Sequence, residues 1–338
     1  MSQRLAELTT LRMGGPAGRL LTAHTTAELV DVVRAADAAA EPMLVLGGGS
    51  NLVASDQGWP GVVVMVRSAG LTVQPEGEQV IVTADAGVPW ESLVARTVAE
   101  GWAGLASTSG IPGLTGATPV QNVGAYGSEV SDVIERLTVL DRNTGEVTSW
   151  AAAQCGFGFR TSAFKHTDRY VVLDVTFALR RSRSSQVTYL ELARRLGVPP
   201  GSPAPSTEVR EVVLALRRSK GMVLDEIDHD TWSVGSFFVN PLVAAEDAPR
   251  DCPQWQVNGQ VKLSAAWLIE NAGFGRGYGL DRPPGTVAVS TKHTLALTNR
   301  GGATTRQLLE LAREIRDGVH ARFGIRLRPE AHLVGVAL

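Results

Sequence analysis

The chain contains the run Pro42-Met-Leu-Val-Leu-Gly-Gly-Gly-Ser-Asn51, in which a short apolar segment leads directly into three glycines. Proline ends the preceding helix, and the apolar segment predicts a buried strand over residues 43–46. Glycines after a strand can adopt positive φ and let backbone amides approach an anion, and Ser50 and Asn51 add side-chain donors. The turn lacks the Gly-x-Gly-x-x-Gly spacing and the Walker lysine, so a simple chain reversal explains it equally well when it is taken alone.

The segments around this turn alternate between helix and strand without a fixed period. Upstream, Thr25-Thr-Ala-Glu28 predicts a capping box at the start of a helix that runs to about Ala39. The remaining pattern predicts strands at 62–66, 80–84, 136–140, 146–149, 170–179 and near 333–336, and helices at 90–99, 207–219, 264–271 and 304–323. This mixed order favours an α+β fold over a single doubly wound sheet.

Residues 103–127 form a long stretch rich in glycine, serine, threonine and proline, with almost no charge. Loops longer than about 12–15 residues are uncommon in compact domains and are usually functional or disordered. The segment from Ile111 to Gly127 concentrates small residues and hydroxyls, which suit a flat cofactor with polar edges. We therefore expect it to fold against a ligand, and an Ω-loop packed on itself is the alternative.

Two polar stretches, 180–185 and the proline-rich 199–206, bracket a small element around Tyr189. Their composition indicates an excursion from the main domain. The acidic segment 225–230 lacks the spacing of a calcium loop, so an exposed linker is the best explanation for it. None of the six histidines forms a zinc-type pair, and no metal site is predicted.

The composition is that of an ordinary soluble protein with two or three domains. The 338 residues include 32 basic and 34 acidic side chains, for a net charge of −2, and 44% are hydrophobic. Near-neutral charge without a long basic stripe argues against nucleic acid or a membrane as the partner, which leaves a small molecule. Cys155 and Cys252 lie far apart, and no segment has the pattern of a signal peptide or a membrane span, so we expect a cytoplasmic location.

Several motifs occur in the order seen in the UDP-N-acetylenolpyruvoylglucosamine reductases, a family that the chain resembles nearly end to end. They are the two glycine-rich loops, Gly156-Phe-Gly-Phe-Arg-Thr-Ser-Ala-Phe-Lys165, Gly235-Ser-Phe-Phe-Val-Asn-Pro241 and Arg328-Pro-Glu330. The family consists of cytoplasmic flavoenzymes of peptidoglycan synthesis that use NADPH to reduce the enolpyruvyl ether of a UDP-sugar. The resemblance implies an α+β fold, with a two-domain FAD-binding scaffold of the vanillyl-alcohol-oxidase/PCMH type and a C-terminal α+β substrate-binding domain.

The resemblance also implies how the chain divides into domains. The first FAD-binding subdomain would cover residues 1–69, completed by the tail 331–338. The second would cover 70–222, including the substrate-loop excursion at 183–206, and the substrate-binding domain would cover 223–330. We expect FAD to be bound non-covalently, NADPH to supply the hydride, and the chain to be a monomer.

Both glycine-rich loops would hold FAD if the resemblance is followed residue by residue. The diphosphate would be bound by Gly47, Gly48, Gly49, Ser50 and Asn51. The rest of the cofactor would be lined by Ile111, Pro112, Gly113, Gly116, Ala117, Thr118, Val120 and Gly124, with Arg217 near the flavin ring.

The family reaction leaves negative charge on the carbon next to the one that receives hydride, which requires charge stabilisation and then a proton. The resemblance assigns the substrate carboxylate to Arg160, proton donation to Ser236 and an assisting carboxylate to Glu330. Arg160 stands among aromatic and small residues rather than in a charge run, which suits a bidentate grip. From the residues alone, a buried ion pair, a turn serine and a surface salt bridge are the respective alternatives.

The resemblance gives the UDP diphosphate to Lys220, Asn240 and His293, and Tyr189 matches the loop tyrosine with which one subgroup covers it. A cation and neutral donors suit that dianion. For Lys220 and Arg217, a solvated charge at a helix end is the alternative. His293 and His332 stand where other members carry different residues, which affects single contacts and leaves the reaction type unchanged.

The implied partners are UDP-N-acetylglucosamine enolpyruvate and NADPH, and the product is UDP-N-acetylmuramate. Two other functions remain open from the sequence, namely another FAD-dependent oxidoreductase on the same scaffold and a non-catalytic nucleotide-binding module. The combination of Arg160, Ser236 and Glu330 disfavours the first, and a colourless purified protein would favour the second.

Overall fold

The computed structural model describes residues 3–257 and 259–338. The helices are α1 (Thr26–Ala38), α2 (Trp90–Glu100), α3 (Leu190–Leu196), α4 (Ser206–Ser219), α5 (Ala265–Asn271) and α6 (Thr305–Phe323). The strands are β1 (Ala17–Ala23), β2 (Met43–Leu46), β3 (Leu52–Ala54), β4 (Trp59–Val66), β5 (Leu71–Glu76), β6 (Gln79–Asp85), β7 (Trp102–Ala103), β8 (Gly124–Ala125), β9 (Ser128–Glu129), β10 (Ile134–Asp141), β11 (Glu146–Ala151), β12 (Tyr170–Arg181), β13 (Ser184–Val187), β14 (Ser202–Pro205), β15 (Leu242–Val243), β16 (Gln254–Val257), β17 (Gln260–Leu263), β18 (Val287–Val289), β19 (Leu297–Asn299) and β20 (His332–Val334).

The chain forms two compact units, each assembled from separate pieces of the sequence. The central unit consists of residues 18–48 and 60–219. The C-terminal unit consists of the chain up to Ala17 together with 49–59 and 220–338. The division into three domains remains a prediction.

A small sheet of the central unit has the strand order β1-β4-β2, with β2 and β4 parallel. Helix α1 begins at the predicted position, because the Thr25 side chain accepts a hydrogen bond of 3.1 Å from the Glu28 amide. Its apolar residues Leu29 and Val33 pack in one core with Val62 of β4. The sequence prediction of a capped helix followed by a buried strand is confirmed.

The larger sheet of the central unit has the order β11-β10-β12-β6-β5, with β7 also paired to β12, and all of its pairs are antiparallel. The predicted hairpin is present as β10 and β11. Trp90 opens helix α2 and lies fully buried, with its ring centroid 5.9 Å from that of Phe177. The helix ends at Gly101, whose φ of 73° is readily adopted by glycine, as the sequence predicted.

The predicted excursion around Tyr189 is an ordered hairpin and helix. Strands β13 and β14 pair antiparallel and enclose α3 between them in the sequence. Leu192 of α3 and Val209 and Val213 of α4 share a core, and the hydroxyls of Ser185 and Ser206 are hydrogen-bonded at 2.8 Å inside it. The segment therefore has its own buried packing.

The C-terminal unit combines the sheet β15-β17-β16, the hairpin β18-β19 and the pair β20-β3 with helices α5 and α6. Phe237 and Phe238 lie in its core with Leu308 of α6. Strand β20 pairs parallel to β3, with His332 opposite Leu52. Strand β20 thus joins the C-terminal tail to β3, and the assignment of the tail to the first FAD-binding subdomain stays a prediction.

The prediction of an exposed linker at 225–230 holds for residues 225–227, which are exposed, and is wrong at Asp230. Asp230 is not part of an exposed linker, since only 4% of it is exposed. Its carboxylate accepts hydrogen bonds from Thr291 and pairs with Arg300 at 2.8 Å. The sequence could not indicate this burial, because both partners come from a distant segment that the fold brings alongside.

Three further features concern the residues that the structure describes. None of the described helices is long and apolar enough to cross a membrane. No group of three or more histidine, cysteine, aspartate or glutamate side chains within 3–257 and 259–338 could hold a metal ion. Cys155 and Cys252 are both buried thiols, and burial raises the pKa of Cys155 to about 11.

Candidate active site

The first glycine-rich loop follows β2 and meets the second loop through backbone atoms. A Cβ atom on Gly48 would lie 2.8 Å from the Cα of Gly113, which is too close for any side chain. The carbonyl oxygen of Gly47 accepts a hydrogen bond from Arg67, a residue that sequence reasoning missed. Because β2 and β4 are parallel neighbours, the position of Arg67 just after β4 was the signal that could have found it.

The remainder of the first loop, Gly49 to Asn51, belongs to the C-terminal unit. Gly49 has a φ of 60° and its carbonyl oxygen accepts a hydrogen bond of 3.2 Å from the Thr10 amide. The carbonyl oxygen of Asn51 accepts one of 2.9 Å from the amide of His332, whose side chain is exposed. These contacts hold the loop backbone and leave the roles of Ser50 and Asn51 toward FAD as predictions.

The second loop is folded into short turns, and its predicted FAD residues fall into two groups. Gly116 donates a hydrogen bond of 2.9 Å to the carbonyl oxygen of Ala86, and Thr118 is buried with its hydroxyl donating to the Thr115 carbonyl. All except Thr118 are at least partly accessible, namely Ile111, Pro112, Gly113, Gly116, Ala117, Val120 and Gly124. Ile111 and Val120 also pack against the core below, so the loop has an apolar anchor.

Arg160 lies in a tight turn in which Gly158 and Thr161 are paired. Its φ of 53° is unusual for a residue with a side chain, and such strained backbone is concentrated at functional sites. The guanidinium donates to the carbonyl oxygens of Asn122 and Gly124, at 3.3 and 2.7 Å. The side chain is only 20% exposed and lies 3.6 Å from the Glu129 carboxylate. The arginine is thus held in a fixed orientation.

Two residues of this arrangement, Asn122 and Glu129, were missed by sequence reasoning. Asn122 is buried with a φ of 45°, and its side-chain amide donates to Glu129 at 2.8 Å and to the carbonyl oxygen of Gly158 at 3.2 Å. The side-chain oxygen of Asn122 accepts a hydrogen bond from the Ser131 amide. An asparagine within the glycine-rich segment, two residues before Gly124, was the available signal, since asparagine tolerates left-handed backbone.

Tyr189 contacts Tyr126, another residue that the sequence analysis did not select. The two rings meet edge to face with centroids 5.6 Å apart, and Tyr189 is 40% exposed. Burial raises the pKa of Tyr126 to about 12, partly offset by the positive charge of Arg217. Burial also lowers the pKa of Arg217, which the charges of Tyr126 and Glu91 oppose. Tyr126 therefore interacts with both Tyr189 and Arg217.

Ser236 and Glu330 lie on two backbone segments that pair with each other in the C-terminal unit. The Glu330 amide donates a hydrogen bond of 2.8 Å to the carbonyl oxygen of Phe237, the residue after Ser236. Two residues after Phe237, the Val239 amide donates to the carbonyl oxygen of Arg328 at 3.0 Å. The fold therefore joins the two motifs that carry these predicted catalytic groups.

The position of Ser236 is fixed from both sides. Gly235 has a φ of 74°, and its amide donates to the hydroxyl of Ser233 at 3.1 Å. Phe237 and Phe238 are almost fully buried and anchor the following strand. Ser236 itself is half-buried, as is Glu330. Both side chains can thus meet a ligand while their backbones are held by the core.

The predicted diphosphate residues occupy three places in the C-terminal unit. Asn240 uses its side-chain oxygen to accept a hydrogen bond of 2.9 Å from the Ala265 amide at the start of α5. Lys220 follows the end of α4 and is half-buried. His293 lies in the turn before β19, where its carbonyl oxygen accepts from the Ala296 amide at 3.1 Å.

Comparison with known proteins defines the class first. The model of the FAD binding domain matches residues 17–150, which include both glycine-rich loops. Glycines that face each other without space for a side chain suit a phosphate-containing cofactor held by backbone amides. The chain is an FAD-dependent oxidoreductase.

The C-terminal unit identifies the family more closely. Residues 226–334 match the model of the UDP-N-acetylenolpyruvoylglucosamine reductase C-terminal domain. Proteins named UDP-N-acetylenolpyruvoylglucosamine reductase from Saccharopolyspora erythraea and Thermobifida fusca are 53% and 51% identical to it, over 99% of this chain and 95% and 97% of their own lengths. The chain belongs to this family of reductases.

A solved structure shows the same architecture over the whole length. The crystal structure of UDP-N-acetylenolpyruvylglucosamine reductase (MurB) from Thermus caldophilus aligns with a TM-score of 0.68 and 25% identity. The alignment covers 98% of this chain and 97% of that one. The expected α+β fold with an FAD-binding part and a C-terminal substrate domain is confirmed.

Proposed function

We propose that the protein reduces UDP-N-acetylglucosamine enolpyruvate to UDP-N-acetylmuramate with NADPH, as a step in peptidoglycan precursor synthesis. The observation that carries the proposal is the pairing of the Ser236 segment with the Glu330 segment. A serine and a carboxylate held on adjacent backbones suit protonation of a carbanion, which is the step that distinguishes this reduction from an alcohol oxidation.

Ser236 is proposed to donate the proton and Glu330 to assist it. The substrate carbon that receives the proton is strongly basic, so an alcohol is acidic enough if it is held at short range. The backbone on both sides of Ser236 is fixed, by Gly235 and by the buried Phe237. A hydroxyl held in place in this way can transfer its proton although serine is a weak acid.

Arg160 is proposed to hold the substrate carboxylate. Its guanidinium is already oriented by the carbonyl oxygens of Asn122 and Gly124 and by Glu129. A planar group with five N–H donors can make these contacts and still present donors to a carboxylate. Fixing the fork in advance lowers the entropy lost when the substrate binds.

The proposed cofactor residues are those of the two glycine-rich loops and Arg217. These residues would hold FAD, which would supply a hydride acceptor for NADPH and a hydride donor for the methylene carbon of the enolpyruvyl group. The loops contribute backbone amides and Arg67 contributes a positive charge next to Gly47, which suit a diphosphate. Ser50 and Asn51 are proposed to add side-chain donors.

The UDP diphosphate is proposed to be held by Lys220, Asn240 and His293, and covered by Tyr189. The side-chain oxygen of Asn240 caps α5, so its NH₂ group is the part that would contact the ligand. The edge-to-face contact with Tyr126 offers Tyr189 a defined resting position from which it can meet the substrate. We also propose that the protein acts in the cytoplasm as a monomer.

An anaerobic absorbance titration tests the reaction. NADPH is added first to the purified, FAD-containing protein, and the UDP-enolpyruvyl sugar is added second. Loss of the flavin band with NADPH and its return with the sugar is the expected result. Bleaching without recovery would instead favour another flavoenzyme on this scaffold, and a protein that takes up no flavin would favour a binding module.

A further inference from the structure

Asp230 is a buried carboxylate that is held by the turn around Thr291 and by Arg300. It accepts hydrogen bonds from the amide and the hydroxyl of Thr291, at 2.8 and 2.6 Å, and pairs with Arg300 at 2.8 Å. Burial alone would raise its pKa, but the hydrogen bonds from Thr291 and Ser290 and the charge of Arg300 outweigh burial and lower the pKa. The charged form is therefore the one that the fold stabilises.

A second carboxylate, that of Asp228, contacts Lys292, the residue after Thr291. Asp228 forms an ion pair of 2.5 Å with Lys292, and its other oxygen accepts the Asp230 amide at 3.0 Å. Two successive residues before His293 are thus held by two carboxylates from the same turn. The two carboxylates contact different residues, since Asp230 binds Thr291 and Asp228 binds Lys292.

The segment held in this way is the turn that carries His293. The buried hydroxyl of Ser290 accepts hydrogen bonds from the amides of Lys292 and His293, at 3.0 and 3.2 Å. The turn closes where the Ser290 amide donates to the carbonyl oxygen of Ala296 at 2.8 Å. The turn that carries His293 is therefore held by Ser290, which contacts the His293 amide, and by Asp230, which contacts Thr291.

Asp230 also lies against the segment that follows Lys220. Gly221 has a φ of 64°, and a Cβ atom on it would lie 3.0 Å from the carbonyl oxygen of Asp230. The same residue therefore touches the chain next to Lys220 and the chain next to His293.

We propose that Asp230 is a positioning residue for recognition of the nucleotide diphosphate, which it serves by setting the turn that presents His293. The inference rests on the proposed function, since it takes His293 as a ligand of the UDP moiety. Asp230 itself does not touch the ligand. A turn set in advance binds more tightly because it does not have to be ordered during binding.

Calorimetric titration of the FAD-loaded protein with UDP tests the proposal. We expect Asp230→Asn to weaken UDP binding by about tenfold and to raise the KM for the UDP-sugar while changing kcat far less. The rate of flavin reduction at saturating NADPH should stay within about twofold. Asp247→Asn is the matched control, because Asp247 is an exposed aspartate on a short helix of the same unit.

A double variant separates positioning from a general structural effect. If Asp230 acts through His293, adding Asp230→Asn to His293→Ala should cost UDP affinity no more than about twofold further. Full additivity of the two losses would overturn the proposal. So would an Asp230→Asn protein with lowered thermal stability and unchanged UDP affinity.

Thr291 provides a second route if Asp230→Asn does not fold. Thr291→Val removes the hydroxyl that donates to Asp230, whereas Thr291→Ser keeps it. We expect weaker UDP binding for the valine variant and wild-type binding for the serine variant. Equal affinities for the two would contradict the inference. A wild-type protein that does not turn over the UDP-sugar would defeat the proposed function instead.

Discussion

The amide of Glu330 donates a hydrogen bond of 2.8 Å to the carbonyl oxygen of Phe237, so two segments that are far apart in the sequence pair through their backbones. Phe238 and Pro329 form an antiparallel β-bridge between the same two segments. The proposed proton donor and the proposed assisting carboxylate therefore depend on a single backbone register. A shift of one residue would turn every side chain of the segment to the other face.

Replacing Ser236 by alanine should separate the two half-reactions. Flavin reduction by NADPH should stay at its wild-type rate, whereas reoxidation by the UDP-sugar should slow by about 10²–10⁴-fold, the usual contribution of a positioned acid. Anaerobic stopped-flow absorbance measures both steps. Ser149→Ala, on the exposed face of β11, should change neither. Equal losses in both steps would contradict proton donation by Ser236.

Replacing Arg160 by lysine should slow the second half-reaction by at least about tenfold, because a point charge cannot reproduce the planar fork. The carbonyl oxygens of Asn122 and Gly124 would also lose donors. Single-turnover kinetics with the UDP-sugar measures the effect. The control is Arg169→Lys, at a half-exposed pair with Asp141, where little change is expected. Full turnover by the Arg160 variant would show that bidentate contact is unnecessary.

Two neighbouring glycines should respond differently to alanine. At Gly48 the added Cβ would lie 2.8 Å from the Gly113 backbone, so the loops would have to separate and FAD affinity should fall by about tenfold or more. At Gly47 the nearest atom would be 3.8 Å away, which is an ordinary contact. The flavin-to-protein ratio after purification compares them. Equal loss of FAD would mean that close packing against Gly113 is not the cause.

Asp230 should make stability depend on pH in acid solution. A carboxylate with a lowered pKa stabilises the fold above its unfolded pKa, and that contribution is lost as the pH falls through the folded pKa. At pH 7, Asp230→Asn should lower the free energy of unfolding by about 2 kcal/mol. The difference in the free energy of unfolding between the variant and the wild type should become smaller as the pH falls below 3.8, the ordinary pKa of an aspartate. Denaturant titrations from neutral to acid pH measure it, and a constant difference would argue against the charge.

Local structure could be predicted because its determinants are close together in the sequence. The Thr25 cap, the strand at 43–46 and the glycine that ends α2 depend on neighbours within one or two turns, and all three are confirmed. The glycine-rich loops could be selected for the same reason, since their composition shows that backbone must be exposed. Sequence pattern also sufficed for the α+β class.

Contacts between distant segments could not be predicted from pattern. The burial of Asp230 depends on Thr291 and Arg300, and the orientation of Arg160 depends on Asn122 and Glu129. In each case, the charge is stabilised by partners that local propensity does not identify. The sequence motifs pointed to Arg160, and the tertiary structure added the groups that hold it.

The sequence by itself therefore determined which segments form helices, strands and backbone-lined loops, because caps, periodicity and glycine act over a few residues. Only the tertiary structure decided that the segments of Ser236 and Glu330 pair, that the Asn240 oxygen accepts a hydrogen bond from the start of α5, and that Asp230 is buried. Those outcomes depend on how the chain returns to itself, which is set by the packing of the whole core.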